Sequence, residues 1–436
     1  MTRYLLIGTG VAAIGAAEAI RKVDPSGQIT LLGDDPHGYY SRPGLAYYLT
    51  GEVDENLLYP YHPEDFKALN VRFLRGTAAR ILPAEQMVQL SDGKRLPYDR
   101  LLIAVGSSAI RLNVPGAALE GVVKLDHMED AKRILGAAKH ARTAVVVGGG
   151  ITALELAEGL ASRKVKVHLL IRTARYWSNV LDEVESEIIE KRLKADNITV
   201  HFESELAEIL GKHGKVTGIR LASGEQVACE LLAYGIGIQP RMNLAKEAGI
   251  TCERGILADE HLRTNLPNIF TAGDVAQVYD PASGRSVIDS LWGPAREQGS
   301  VAGMNMAGKN MAYLKAVPFN VTRLVGLTTT IIGAVGSGQD GDPVTIARGD
   351  SETWREVPDA IIAQGGFDVN HLRLMVASKT IVGAIVMGDQ KLSSALQTLI
   401  RDRVEITAIR EQLLAPSAPI ADILAHFWGQ FHASQN

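Results

Sequence analysis

Cysteine is scarce in this chain: only Cys229 and Cys252 occur among 436 residues. They form no C-x-x-C pair and have no His or Cys neighbours at metal-ligand spacing. That excludes an iron-sulfur cluster held by the chain's own thiolates and a redox disulfide between near neighbours in sequence. Both read as small core residues. Long apolar runs are also missing, since none reaches the roughly 18 residues of a membrane span, and Met1 leads straight into a strand without a cleavable signal. A soluble, cytoplasmic protein is expected. Neither charge dominates: 45 Lys+Arg against 49 Asp+Glu leave a net charge of -4. A concentrated basic face for nucleic acid is therefore not expected. What remains, 46% hydrophobic and 22% charged, is ordinary globular composition, and the length predicts about two to four domains.

Two glycine turns stand out against this background. Gly8-Thr9-Gly10-Val11-Ala12-Ala13 follows the apolar run Tyr4-Leu5-Leu6-Ile7, and Gly148-Gly149-Gly150-Ile151-Thr152-Ala153 follows Ala144-Val145-Val146-Val147. Each precedes an Ala- or Leu-rich helical stretch. In such a turn the glycines let the backbone approach a pyrophosphate, which rests on the unpaired N–H groups of a helix N-terminus. One match alone is weak, because glycine turns also serve packing. Two in strand-turn-helix context imply two bound nucleotides.

The pattern along the chain is α/β. Strand 3–7, helix 11–22 and strand 28–32 open it, and Leu101-Leu102-Ile103-Ala104-Val105-Gly106 adds another buried strand. After a linker at Pro115-Gly116 the pattern restarts with strand 144–147, helix 151–162, strand 165–171 and helix 182–194, and closes at Leu231 to Gly237. The first unit resumes at Asn268 to Asp274. Alternation of strands with helices predicts parallel sheets. Runs 323–332, 372–377 and 380–387 are rich in Val, Ile and Thr, as antiparallel strands are, and helix 392–401 follows. The expected domains are 1–110 and 251–317 for the first nucleotide, 111–250 for the second, and a C-terminal α+β domain over 318–436.

The two turns, Thr271-Ala272-Gly273-Asp274 and the inserted order together resemble the two-dinucleotide-binding-domain flavoproteins, the pyridine nucleotide-disulfide oxidoreductase superfamily. Gly33-Asp34-Asp35-Pro36 with Tyr40-Ser41-Arg42-Pro43 is similar to the ferredoxin reductase, rubredoxin reductase and apoptosis-inducing-factor branch. Closer still is the likeness to the NAD(P)H-FAD module of nitrite reductase large subunits, carried by Arg323-Leu324-Val325-Gly326 and Val382 to Asp389 and by Tyr47 and Tyr48, where ferredoxin reductases carry a lysine. The resemblance implies FAD at the first turn, on Gly8, Gly10, Val11, Ala12 and Ala13. An acid is needed near the end of the next strand for the adenosine ribose, where Asp34 and Asp35 stand; a solvated turn is the alternative. Arg42 matches a position that helps hold FAD, and Asp274 one beside the ribityl chain and pyrophosphate. Ala79 would offer backbone contact to adenine. Leu291 and Trp292 precede a helix that runs along the flavin, although Trp292 reads equally well as a core aromatic.

The same resemblance assigns NAD(P)H to Gly148, Gly150, Ile151, Thr152, Ala153 and Gly237, with Glu155 approaching the nicotinamide as the catalytic-site acid. At the end of strand 165–171 the chain offers Arg172 and Arg175 and no acid before Asp182. A 2'-phosphate wants arginine, so NADPH is expected ahead of NADH; surface pairing of these arginines with Asp182 or Glu183 is the alternative. No metal is implied, and His37, His140 and His168 have no nucleophile partner. Gly38 to Tyr48 contains no cysteine, so electrons must pass from the flavin directly to a small ferredoxin- or rubredoxin-type protein or a separate reductase subunit. The chain would act as an oxidoreductase, as a homo-oligomer or within a complex. Two other readings stay open: a redox-sensing flavoprotein, and a membrane-peripheral quinone reductase using the apolar stripe Ile420, Ile423, Leu424, Phe427 and Phe431.

Overall fold

Residues 4–7 form the centre of a sheet because their side chains are apolar on both faces, a pattern that only a strand covered on both sides can satisfy. In the computed structural model, which describes residues 1–281, 283–335, 361–367 and 370–435, this strand lies in a five-stranded parallel sheet. The order is Ile269–Thr271, Arg100–Ile103, Arg3–Ile7, Gln28–Gly33, Val71–Arg75. The chain turns at Gly8 into helix Val11–Val23, which packs along helix Trp292–Met306. Small residues make that contact. A Cβ at Gly299 would stand 2.0 Å from the Ala12 carbonyl oxygen, and one at Gly303 would stand 2.4 Å from that of Ala16. The two backbones therefore touch with nothing between them.

A second parallel sheet, ordered Ile198–His201, Lys166–Leu170, Thr143–Val147, Leu231–Tyr234, Val122–Lys124, is built wholly from chain between the last two strands of the first. The outgoing and returning segments pair as an antiparallel ribbon, Ser107–Ala109 with Ile238–Pro240. The third layer is an antiparallel sheet ordered Phe319–Leu324, Leu327–Gly333, Ile381–Met387, Asn370–Val376, Ile361–Phe367. Helices Ser393–Arg401, Thr407–Leu413 and Ile420–Gln435 follow it. The architecture is thus two Rossmann-like units, the second inserted in the first, with a C-terminal α+β domain.

Several local readings need correction. The run 323–332 is two strands, broken by a tight turn in which Val325 and Gly326 both have positive φ, 47° and 72°. Leu324 and Val325 before the turn and Leu327 after it kept the apolar, β-branched texture going and concealed it. Cys229 is buried, as expected, but Cys252 is only half-buried, at the margin of a core cluster. The C-terminal apolar stripe packs on its own domain: Ile420 and Leu424 are buried against the antiparallel sheet and Ile423 and Phe427 lie against the same cluster. Among the described residues no helix is long and apolar enough to cross a membrane. The largest core cluster joins all three units, from Leu45 and Leu49 through Leu154, Leu169 and Trp177 to Leu324, Ile331 and Met387.

The helix contact yields a direct test. Gly299→Ala forces a methyl into backbone, and overpacking of this kind costs about 1–3 kcal/mol. Gly293→Ala, on the same helix with open space around its Cβ, should be neutral or slightly stabilising. Urea unfolding of the two variants should separate them by at least 1 kcal/mol, a rough lower bound; equal midpoints would show that the helices do not meet as described.

Candidate functional site

The strand order of the first sheet reverses beside Arg3–Ile7, and in open α/β sheets such a reversal leaves a crevice at the carboxyl ends of the strands. A cavity of about 620 Å³ lies there. Gly8, Gly10, Val11, Ala12, Asp34, Asp35, Arg42, Ala79, Asp274, Leu291 and Trp292 all line it. Gly8 has φ 122°, and a Cβ there would strike the Ala104 carbonyl oxygen at 2.1 Å. A Cβ at Gly10 meets no atom within 4 Å and would enter the open cavity. Ala13 does not line it: fully buried behind the turn, it packs helix against sheet. The two acids differ. Asp35 accepts from the His37 N–H at 2.9 Å and the Tyr40 hydroxyl at 3.3 Å, while Tyr40 in turn accepts from the Met128 N–H at 3.0 Å. Asp35 is thus held within the fold, whereas Asp34 is exposed and receives only a long contact from Thr77 at 3.4 Å.

The inserted unit and the chain just past its ribbon bring to the same cavity His127 and Arg241, which the motifs did not point to. Arg42 Nη2 lies 2.7 Å from His127 Nδ1, and Arg241 Nη2 lies 3.0 Å from His127 Nε2. Guanidinium groups only donate, and a neutral imidazole has one accepting nitrogen, so one of these two contacts lacks an acceptor. Burial, then the neighbouring Arg42, pushes the His127 pKa down, keeping the ring neutral. The cluster's central anion is Asp126, 6% exposed, at 3.9 Å from Arg42, 3.8 Å from Arg241 and 3.5 Å from Lys124. Arg241 also donates to Ser108 at 2.6 Å, and Ser107 donates to Asp274 at 2.7 Å. Two arginines lining the cavity thus converge on one carboxylate at ion-pair distance, an arrangement suited to a diphosphate. The signal in the sequence was only isolated charges far apart; the ribbon assembles them. Trp292 is no core aromatic: it is 46% exposed, with Arg296 stacked over it at 5.8 Å.

The second turn is laid out differently. Gly148, at φ 139°, would place a Cβ 2.3 Å from the Gly235 carbonyl oxygen, and Gly150 caps helix Ile151–Ser162. Gly150, Thr152 and Gly237 line a crevice of only about 20 Å³, and the Thr152 hydroxyl is buried without a hydrogen-bond partner. Ile151 and Ala153 are buried and serve packing. Glu155 lines neither cavity. Half-buried on the helix, it lies near Tyr47 of helix Gly44–Thr50, whose hydroxyl is pushed up by burial and then by this carboxylate. One turn on, Glu158 accepts the Gly326 N–H at 3.2 Å, and burial pushes its carboxyl up to about 7. Arg172 is exposed, and neither it nor Arg175 pairs with Asp182 or Glu183. Arg175 donates to the Ser178 carbonyl at 3.3 Å, and its buried Nε has no partner.

Residues 2–299 match the family model described as pyridine nucleotide-disulphide oxidoreductase. The chain belongs to this family. It is 31% identical over 286 residues to a rubredoxin-NAD(+) reductase from Ectopseudomonas oleovorans, covering 65% of this chain and 74% of that one. It is 27% identical to the epsilon subunit of an NADH-dependent phenylglyoxylate dehydrogenase from Aromatoleum evansii, over 98% of both chains. A Bacillus subtilis NAD(P)H nitrite reductase is 25% identical over 93% of this chain, which spans about half that enzyme's length, 48%. The crystal structure of a ferredoxin reductase from Rhodopseudomonas palustris superposes with a TM-score of 0.85 at 21% identity, over 97% of this chain and 99% of that one. The chain therefore lies in the ferredoxin and rubredoxin reductase branch, and the nitrite reductase module is not set apart from the other relatives. Family membership makes it an FAD-dependent NAD(P)H oxidoreductase.

Glu158 supplies a pH test. Its folded pKa of about 7 lies above the ordinary 4.5, so the folded state favours the protonated acid. The stability this gives is fully present below pH 4.5 and is lost as pH rises through 7. Glu158→Gln removes that dependence. The variant should match the parent near pH 5 and exceed it near pH 8 by on the order of 2–3 kcal/mol. Urea unfolding at both pH values measures it, and a constant difference would place the titration elsewhere.

Proposed function

We propose that the large cavity holds FAD and that NAD(P)H binds along the second glycine turn, so that the chain relays electrons from the nicotinamide to a protein acceptor. The observation that carries this reading is the union, in one cavity, of an open glycine turn and two arginines that converge on His127, with no cysteine on its walls. The chemistry a bound flavin would supply is acceptance of hydride from the nicotinamide and release of the electrons to an acceptor. The chain's own part is position and charge. Gly8, Gly10, Val11 and Ala12 present the turn and helix N-terminus to the pyrophosphate, and Arg42 with Arg241 neutralises it from the other side. Asp34, with its carboxylate the freer of the two, takes the adenosine ribose; Ala79 borders the adenine; Asp274 faces the ribityl chain; Leu291 and Trp292 cover the ring system. At the second turn Gly148, Gly150, Thr152 and Gly237 receive the nicotinamide nucleotide, with Glu155 on the adjoining helix face.

A thiol relay is not part of this reading. Burial pushes the Cys229 thiol up to about 12, far from the thiolate that redox exchange requires. Electrons leave for a partner of ferredoxin or rubredoxin type or for a second subunit, a choice supported by the rubredoxin reductase and dehydrogenase-subunit relatives. Tyr47 and Tyr48 support the finer likeness to the nitrite reductase module. Arg172, exposed and unpaired, is the natural contact for a 2'-phosphate, which favours NADPH.

The test is cofactor content combined with dye reduction. Purified protein should carry one non-covalent FAD and reduce an artificial dye with NADPH. Gly10→Val should lose the flavin while remaining folded by circular dichroism; stoichiometric FAD in that variant would overturn the assignment of the first turn.

Cofactor choice is measured separately. Each charge-assisted contact to the 2'-phosphate contributes about 1.5–3 kcal/mol, roughly tenfold to hundredfold in affinity. Arg172→Ala should raise the KM for NADPH by that factor and leave the KM for NADH and both kcat values nearly unchanged. A parent protein that already prefers NADH would remove the phosphate contact from the proposal.

A further inference from the structure

The segment that carries Arg172 and Arg175 is not a free surface loop. After strand Lys166–Leu170 it turns inward, so that Tyr176, Trp177, Val180 and Leu181 are all buried, between 0% and 2% exposed, within the core cluster shared with the C-terminal sheet. Trp177 takes φ 48°, a left-handed conformation that bulky residues seldom adopt and that surroundings must enforce. Arg373, from the C-terminal strand Asn370–Val376, anchors the same turn at Val180, whose N–H donates to the Trp177 carbonyl at 3.0 Å. Its guanidinium is 2% exposed and reaches across the domain boundary. It donates to the Val180 carbonyl at 2.7 Å, to Glu185 at 2.9 Å and to the Val335 carbonyl at 3.3 Å. Glu185, fully buried, also accepts from the Asp182 N–H at 3.0 Å, closing the capping box of helix Glu183–Ala195. On the other side of the segment Ser186 donates to the Tyr176 carbonyl at 2.8 Å. Asp182, Glu185 and His371 lie close enough together to suggest a cation site. Arg373 Nε already occupies that position, 2.9 Å from Glu185 and 3.7 Å from Asp182, so the positive charge needed there is built in.

We propose that Arg373 is a specificity-determining positioning residue: from the C-terminal domain it holds the segment 172–181 in the conformation that presents Arg172 and Arg175 to the 2'-phosphate of NADPH. This rests on the reading of Arg172 as the phosphate contact. Arg373 does not touch the nucleotide. Its fork fixes the far end of the segment through the Val180 carbonyl, and it reaches Glu185, Val335 and Val180 from three different nitrogens, a span that the single nitrogen of a lysine cannot cover. Loss of the fork frees the strained Trp177 turn to relax, and the arginines lose register with the phosphate. NADH, which has no 2'-phosphate, should not detect the change.

Calorimetric titration of the FAD-loaded protein with NADP+ and NAD+ tests this without turnover. Arg373→Lys and Arg373→Met should each weaken NADP+ at least fivefold and leave NAD+ within twofold, as Arg172→Ala should. Hydrogen exchange should rise at the amides of residues 176–181 in both Arg373 variants and not in Arg172→Ala. Equal weakening of both nucleotides, or no change in either with Arg172→Ala effective, overturns the inference. If Arg172→Ala itself leaves NADP+ affinity unchanged, the phosphate reading fails and takes the inference with it. Should Arg373→Met not fold, Arg373→Lys alone decides by the same criteria.

Discussion

The cavity depends on the backbone contact between helices Val11–Val23 and Trp292–Met306. The first helix begins at the glycine turn; the second begins at Leu291 and Trp292, which line the same cavity. Their distance apart is set by Gly299 and Gly303 seated on Ala12 and Ala16. Side chains of ordinary size at those positions would hold the helices further apart, and the two walls with them. These helices lie far apart in sequence, and the inserted sheet, from Val122 to Tyr234, falls within that interval. Close packing of small residues therefore lets one binding site be made from chain at both ends of an insertion.

Charge does the equivalent work on the opposite wall. Asp126 is a buried carboxylate among three cations, and a buried charge is tolerated only where partners compensate it. It comes from the inserted unit, whereas Arg42 comes from the first and Arg241 stands just past the returning strand of the ribbon. The shared hydrophobic cluster extends this joining to the third domain, through Leu324, Val325 and Met387. The turn Val325-Gly326 is gripped from two sides, by Glu158 at Gly326 and by Arg192, which donates to the Val325 carbonyl at 2.7 Å. A β-branched residue at positive φ is strained, and it persists here because both grips come from the same neighbouring unit.

The sequence displayed what is local. Both glycine turns, the strands before them and the acids at Asp34 and Asp35 are contiguous patterns whose physics operates within a few residues, and the structure sets each turn between its strand and helix and both acids on the lining of the large cavity. What it concealed was assembled at a distance. Asp126, His127 and Arg241 meet only because two three-residue strands pair across an insertion, and no periodicity announces a strand of three. The polar run Arg-Thr-Ala-Arg gave no sign that the chain after it is buried; that burial follows from Tyr176, Trp177 and Val180, which share a core cluster with the C-terminal sheet. The run 323–332 read as one strand because hydrophobicity continues through a turn formed by Val325, an unusual residue for that role. Which of two adjacent acids was the freer could not be read either, because Tyr40 holds Asp35 through a hydrogen bond that only the fold creates.

The ribbon of Ser107–Ala109 with Ile238–Pro240 has a bearing on modularity. Two short crossings are the ordinary mark of a cassette, a unit that could be exchanged between related proteins by cutting at the crossings. Here the cut would divide an electrostatic circuit. A transplant bounded by the ribbon would carry Asp126 and His127 away and leave Arg42 and Arg241 behind, two guanidinium groups facing each other across a cavity wall without their common counter-ion. Recombination at this joint thus has to move charges on both sides together, so the units are separable as chains but inherited as one.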